Sequence, residues 1–191
     1  PLTLALDDSF HVVFRKPAVA DAMAIKKLEP VELAGIAGPW TVAFQPGRSA
    51  PASIVMPELK PLDQHEDAGV KYFSGTASYA RDFTAPRGWK PGQPLWIDLG
   101  DAREVAEVLV NGQSAGYAWH APYRVDIAAL TRKGRNRIEV RVANLWVNRL
   151  IGDAQPGAQK ITWTALPSYK PDAPLRPSGL IGPVRLLGQG K

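Results

Sequence analysis

The pair Asn111-Gly112 stands between the β-type runs Ala106-Glu107-Val108-Leu109-Val110 and Gln113-Ser114-Ala115-Gly116, and it limits this chain's folding options more than any other feature. A two-residue type I′ hairpin needs positive φ at both central positions, which Asn and Gly tolerate best. The pair therefore predicts two antiparallel strands joined directly, with Asn111 and Gly112 as the turn. A second constraint lies downstream, where Ile138, Val140 and Val142 alternate with Arg137, Glu139 and Arg141. A strand of that pattern turns one face to a core and the other to water. Glu139, flanked by the two arginines, is expected to form a cross-strand ion pair.

Other segments repeat the pattern. Trp40–Phe44 and Ser53–Met56 fit short strands, with a polar loop over Pro57–Gly69. Ala77–Phe83 alternates so that Tyr79, Arg81 and Phe83 share a face, and Leu95, Ile97 and Leu99 share another with Asp98 opposite. Tyr123, Val125 and Ile127 recur at period two, Asp126–Leu130 reads as one helical turn, and Lys133–Asn136 reverses the chain. Thr162–Thr164 and Val184–Leu187 are expected to supply closing strands. With 18 Pro and 17 Gly, the composition suits many turns between strands spaced roughly 8 to 12 residues apart. No long amphipathic helix and no βαβ alternation is visible. The expected fold is all-β, an antiparallel β-sandwich of jelly-roll type. Phe10–Lys16 reads as a strand stopped by Pro17; Ala18–Leu28 is ambiguous, its Ala and Met favouring helix while Lys26–Leu33 alternates like a strand interrupted by Pro30, and it is read as a linker.

Several function classes are excluded at this level. At 191 residues the chain holds one substantial domain, or one plus the tail of another, but not a sandwich joined to a catalytic barrel. It starts at Pro1 with no basic, apolar leader, which reads as a fragment or a processed product. No apolar run approaches the roughly 20 residues that span a bilayer, so no membrane partner is expected. The net charge of +5 comes from scattered Lys and Arg, without the clustered basic face that nucleic acid requires. There is no cysteine, and the three histidines, His11, His65 and His120, lie too far apart to suggest a metal centre. Asp98-Leu99-Gly100-Asp101 could contribute oxygens to Ca²⁺, but it lacks dense alternation of carboxylates and reads as a turn. No cofactor is expected. Glycoside hydrolysis needs two carboxylates facing across a bond, and no such pair can be named here. A Gly-x-Ser-x-Gly elbow is absent too.

Two clusters retain binding potential. In Gly116–Tyr123 the candidates are Trp119, His120 and Tyr123, whose rings suit the C–H faces of sugars; the competing expectation is that Trp119 and Tyr123 plug the end of the core. In Asn144–Asp153 strand alternation breaks down where Asn148, Arg149 and Asp153 appear. Their side chains are expected to satisfy loop backbone, face a ligand or dock another domain.

Several stretches in this order resemble the C-terminal part of glycoside hydrolase family 106, the α-L-rhamnosidases. They are Asp8–Arg15, Gly38-Pro39-Trp40, Lys71–Tyr79, Asp98–Asp101, Val105–Val108 with Asn111-Gly112, Asn144–Asp153 and Pro177–Val184. The resemblance implies a galactose-binding-domain-like sandwich, similar to the sugar-binding domain of family 2 hydrolases. It implies residues 1–37 as the end of a preceding β domain plus a linker, and residues 38–191 as the sandwich. It further implies a non-catalytic accessory role, with the catalytic domain upstream in the same polypeptide as partner and a rhamnose-containing glycoside as ligand. An autonomous carbohydrate-binding module is the alternative. A periplasmic or secreted location fits such glycan-degrading enzymes. No position matches a catalytic motif of the family, so no catalytic residue is carried over.

Overall fold

The computed structural model describes residues 29–189 together with residues 9, 11, 13 and 15–17. The strand expected over Phe10–Lys16 and the linker expected over Ala18–Leu28 fall largely outside the described residues. Strand outweighs helix, 39% against 8%, as an all-β fold requires. Numbered along the chain, one antiparallel sheet has the order β1 (Pro30–Gly35), β12 (Arg185–Gln189), β5 (Leu95–Asp98) and β9 (Arg124–Asp126). The larger sheet has the order β3 (Ser53–Met56), β2 (Trp40–Phe44), β4 (Thr76–Thr84), β10 (Arg135–Ala143), β7 (Val105–Val110) and β8 (Gln113–Ala118). A small ladder joins β6 (Asp101–Arg103) to β11 (Gly179–Gly182).

The inner faces of the two large sheets meet in one apolar core, so the architecture is a β-sandwich. Leu95, Ile97, Val125 and Leu186 come from the first sheet, and Val42, Tyr79, Val108 and Val140 from the second. In β10 the expected alternation holds: Ile138, Val140 and Val142 are buried and Arg137 and Arg141 are exposed. The ion pairs differ from expectation. Glu139 bonds Arg141 of its own strand at 2.7 Å and accepts from Ser78 Oγ at 2.8 Å, while the cross-strand pair is Arg141 with Glu107 at 3.5 Å.

The hairpin between β7 and β8 turns at Asn111 (φ 54°) and Gly112 (φ 83°), the signature of a type I′ turn. Asn111 does more than tolerate the turn. Its Nδ2 donates to Leu130 O and to Asn136 Oδ1, both at 2.9 Å, and its Oδ1 accepts the Arg137 N–H at 3.1 Å. Buried Asn136 completes the network by accepting the Arg132 N–H at 2.8 Å and donating to Arg132 O and Gly134 O. The hairpin tip is thereby tied to the chain reversal that precedes β10.

Three elements depart from the sequence reading. Pro30–Gly35, expected within a linker, is β1, hydrogen-bonded to β12 from Pro30↔Gln189 to Gly35↔Arg185. Its Pro30 stands at the strand's first residue, where a missing N–H is tolerated. Thr162–Thr164, expected as a closing strand, forms no strand. The Ile161 and Thr162 N–H groups go to the Asp153 carboxylate instead of a ladder. Besides a short helix α1 (Ala68–Lys71) capped by Asp67, the chain forms a two-turn helix α2 (Val147–Asp153) where only a loss of alternation was legible. Among the described residues, no helix is long and apolar enough to cross a membrane.

Val140 is fully enclosed at the centre of the larger sheet. Replacing it with Asp should destabilise the fold by about 3 kcal/mol or more, because a charge would be buried without a partner. A thermal melt of Val140→Asp that barely shifts would contradict the packing described.

Candidate functional site

The two clusters follow β8 and β10, the strands on either side of β7. Register pairs Ala143 of β10 with Val105 of β7, and Ala106 of β7 with Ala118 of β8. The residues that follow β8 and β10, Trp119 and Leu145-Trp146, therefore leave the same end of the larger sheet as Val105. All four are exposed, Trp119 by 59% and Trp146 by 52%. Trp119 lies beyond the last residue of β8, so the expectation that it plugs the core does not hold. It packs instead edge-on against His120, with ring centroids 4.6 Å apart.

Tyr123 behaves as a core residue. It is buried, its backbone carbonyl accepts the Leu99 N–H at 2.8 Å, and burial pushes its hydroxyl pKa up against the opposing pull of the Arg103 charge. Asp98, on the outer face of β5, is buried as well. Its Oδ1 accepts the Gly100 N–H at 2.8 Å, and its Oδ2 faces the guanidiniums of Arg124 and Arg185 at 2.9 and 3.6 Å. Two cations already neutralise this carboxylate, which favours the turn over a Ca²⁺ loop.

The polar residues of α2 point inward. Asn148 clamps the backbone of Arg176, donating to its carbonyl at 2.7 Å and accepting its N–H at 2.8 Å. Arg149 and Asp153 form a buried i,i+4 ion pair at 2.9 Å, and the Arg149 guanidinium also lies 6.0 Å from the Tyr72 ring centroid. Asp153 Oδ2 accepts the Ile161 N–H at 3.2 Å, the Thr162 N–H at 2.9 Å and the Thr162 hydroxyl. Close approach of α2 to Tyr72 requires Gly152, since a Cβ there would stand 2.6 Å from Tyr72 Cβ. Just before the helix, Asn144 accepts the Gly75 N–H and donates to Phe73 O, both at 2.9 Å. Of the three expected roles for this cluster, satisfaction of loop backbone is the one these contacts perform.

The six candidate residues thus do not converge on one site. Trp119 and His120 stand at a sheet end, Tyr123 belongs to the core, and Asn148, Arg149 and Asp153 hold the 154–178 connection. The hollow beside Asn148, lined by Arg103, Leu145 and Ser178, has a volume of only about 10 Å³, too small for a sugar. Sequence reasoning missed a larger cleft of about 240 Å³ on the other side of α2, lined by Leu150, Lys160, Trp163 and Tyr169. Its signal was present in the prolines at 156, 167, 171, 174 and 177, which disfavour a ladder and imply an irregular, surface-borne Trp163.

Comparison with known proteins gives this geometry a context. No family model matches the chain. It superposes on the rhamnosidase of Novosphingobium sp. PP1Y with a TM-score of 0.84 and 57% identity, over 91% of this chain. The chain is similar to a segment of a glycoside hydrolase. A Formosa agariphila protein that bears the name of a β-glucuronidase is 34% identical over 176 residues, 79% of this chain. The chain spans only 16% of the first relative and 15% of the second. The β-glucuronidases of an uncultured Clostridium sp. and of Ruminococcus gnavus, 22% and 17% identical, share the fold, each with a TM-score of 0.61. The match covers 90% and 88% of this chain, and 31% of each of theirs.

The ion pair in α2 carries a pH signature. Burial opposes ionisation of Asp153, but the Thr162 hydroxyl and N–H, the Arg149 charge and the Ile161 N–H outweigh it and hold its pKa below the usual carboxylate range. A depressed folded pKa contributes stability above the unfolded value of about 3.9 and loses it as pH falls through the folded value. Asp153→Ala should cost about 3 kcal/mol at pH 7, since it leaves Arg149 buried and unpaired. Denaturant melts of both proteins from pH 7 to pH 2 should show this difference shrink below about pH 4. A difference independent of pH would contradict the role given to Asp153.

Proposed function

We propose that the chain is a non-catalytic accessory domain of a multidomain α-L-rhamnosidase, docked on a catalytic domain elsewhere in the same polypeptide. The observation that carries this reading is the exposed apolar end that includes Val105, Trp119, Leu145 and Trp146, where the hollow at Leu145 measures only about 10 Å³. Exposed aromatics of that kind, without a concave polar pocket, suit a protein surface better than a solvated sugar. High identity to a rhamnosidase of which the chain spans 16% supports the choice of parent enzyme. In this reading the domain begins with β1 rather than at residue 38, because β1 completes the sheet of β12 and β5.

The ion-paired carboxylates support a structural role. Asp82 pairs with Arg135, Asp98 with Arg124 and Arg185, Glu107 and Glu139 with Arg141, and Asp153 with Arg149. Asp82, Glu139 and Asp153 are held below the usual carboxylate range by hydrogen bonds and neighbouring arginines, the opposite of what a general acid for glycoside cleavage needs. A second reading, an autonomous carbohydrate-binding module, draws support from the exposure of Trp119 beside His120. In it those two rings meet a rhamnose-containing glycoside, while Tyr123, Asn148, Arg149 and Asp153 act by holding the surrounding loops.

Two measurements test the proposal. The purified chain should show no turnover of an aryl α-L-rhamnoside, and turnover lost on replacing one carboxylate would overturn the accessory role. Mixed with the remainder of its parent polypeptide, the chain should co-elute as a complex. The double variant Trp119→Asp, Trp146→Asp should weaken that complex at least about 100-fold, because buried aromatic anchors dominate such interfaces. Undiminished association would move the docking surface elsewhere.

A further inference from the structure

A sugar-sized cleft lies on the far side of α2 from the docking end, and none of the residues considered for sugar binding from sequence, except the wall-holding Asp153, lines it. Its volume is about 240 Å³. Leu150 of α2 gives it an apolar side, and Trp163 and Tyr169 from the 154–178 connection give it two aromatic rings. Lys160 and Thr164 add hydrogen-bonding groups, and Lys160 makes no ion pair among the described residues.

Trp163 is 84% exposed, more than any other large apolar residue described. An exposed Trp on a wandering loop would normally cost solubility without return, yet this one is presented on a fixed wall. Asp153 binds the two preceding backbone N–H groups and the Thr162 hydroxyl, and Gln155 Nε2 donates to Pro171 O at 2.8 Å just beyond Tyr169. Both ends of the Trp163–Tyr169 segment are thereby anchored to α2 or the residue following its C-cap. Preorganised aromatic faces beside hydroxyl and ammonium donors match a pyranose, which offers an apolar C–H face and a rim of hydroxyls.

The larger cleft of about 720 Å³, between β1 and the β11–β12 connection, lacks that combination. Its aromatic residue, Trp40, is fully buried, and its Arg185 already faces Glu32 and Asp98.

We propose that the cleft under Trp163 binds a single pyranosyl unit, with the indole stacked on the ring and Lys160, Thr164 and Tyr169 bonding its hydroxyls. The choice of a sugar rests in part on the reading of the chain as part of a glycoside hydrolase. The site itself is separate from the docking end.

The test is saturation-transfer NMR on the full 191-residue chain with methyl α-L-rhamnopyranoside, and with a methyl glucuronide as the anionic comparison. The rhamnoside should bind with a dissociation constant on the order of 1 mM. Trp163→Ala should weaken it at least about tenfold without shifting the thermal melt, and Lys160→Ala severalfold. Trp119→Ala should leave it unchanged. Absence of signal at tens of millimolar overturns the assignment, as does binding that survives Trp163→Ala or disappears with Trp119→Ala. Binding of the glucuronide alone, abolished by salt, would reduce the site to an anion contact at Lys160 and overturn it too. A chain that docks on its parent yet fails these titrations loses only the cleft; one that binds through Trp163 yet does not dock loses only the docking surface.

Discussion

Strand β10 is the constraint on which the rest of the sandwich depends. It is hydrogen-bonded along both edges, to β4 from Arg135↔Thr84 to Ala143↔Thr76 and to β7 from Ile138↔Val110 to Ala143↔Val105. A slip of one residue would turn Val140 to water and bury Arg141, so the register is held by the hydrophobic effect on one face. On the other face Arg141 reaches Glu139 and Glu107. Exposed pairs of this kind add little stability, but they agree with the register that burial imposes. With the register set, the ends of β7, β8 and β10 are level, and Val105, Trp119 and Leu145-Trp146 come together at one rim.

The second organising element is α2 with the residues flanking it. The connection from Ala154 to Ser178 contains no helix or strand, a length that would be costly to order unless its backbone were tied down. Asn148, Asp153 and Gln155 supply those ties, bonding Arg176, Ile161, Thr162 and Pro171. Burying Arg149 against Asp153 carries a desolvation cost, which the additional hydrogen bonds to the carboxylate offset. One short helix and the residue after its C-cap thus order this long irregular segment and set the wall that presents Trp163.

These two devices separate the molecule's surfaces by chemistry. The rim where β7 begins and β8 and β10 end exposes Val105, Trp119, Leu145 and Trp146, whereas the 154–178 segment lines a cleft that mixes aromatic rings with hydroxyl and ammonium groups. A flat apolar rim gains most from another protein surface, which can exclude water over a broad area. A small mixed cleft gains most from a ligand with both an apolar face and a hydroxyl rim. The two proposals therefore draw on different parts of the chain.

The sandwich, the β7–β8 hairpin and the inward face of β10 were legible from residues alone, because each depends on a local rule: positive φ at Asn111-Gly112, or period-two alternation at Ile138, Val140 and Val142. β1 was legible only in part, since the strand-like alternation of Lys26–Leu33 is interrupted by Pro30 and the strand is fixed by a partner, β12, distant in sequence, with Gly35 paired to Arg185. Thr162–Thr164 misled for the complementary reason: its composition favours a strand, but the Asp153 carboxylate takes the N–H groups a ladder would need. The roles of Asn148, Arg149 and Asp153 were also beyond sequence, because a polar side chain in a loop serves backbone or ligand equally well until its direction is known. By itself the sequence determined which faces of the strands are apolar and where the chain turns tightly. Only the tertiary structure decided which aromatic side chains remain in water, because exposure depends on where neighbouring strands end: Tyr123 is enclosed, while Trp119, one residue past β8, is left at the rim.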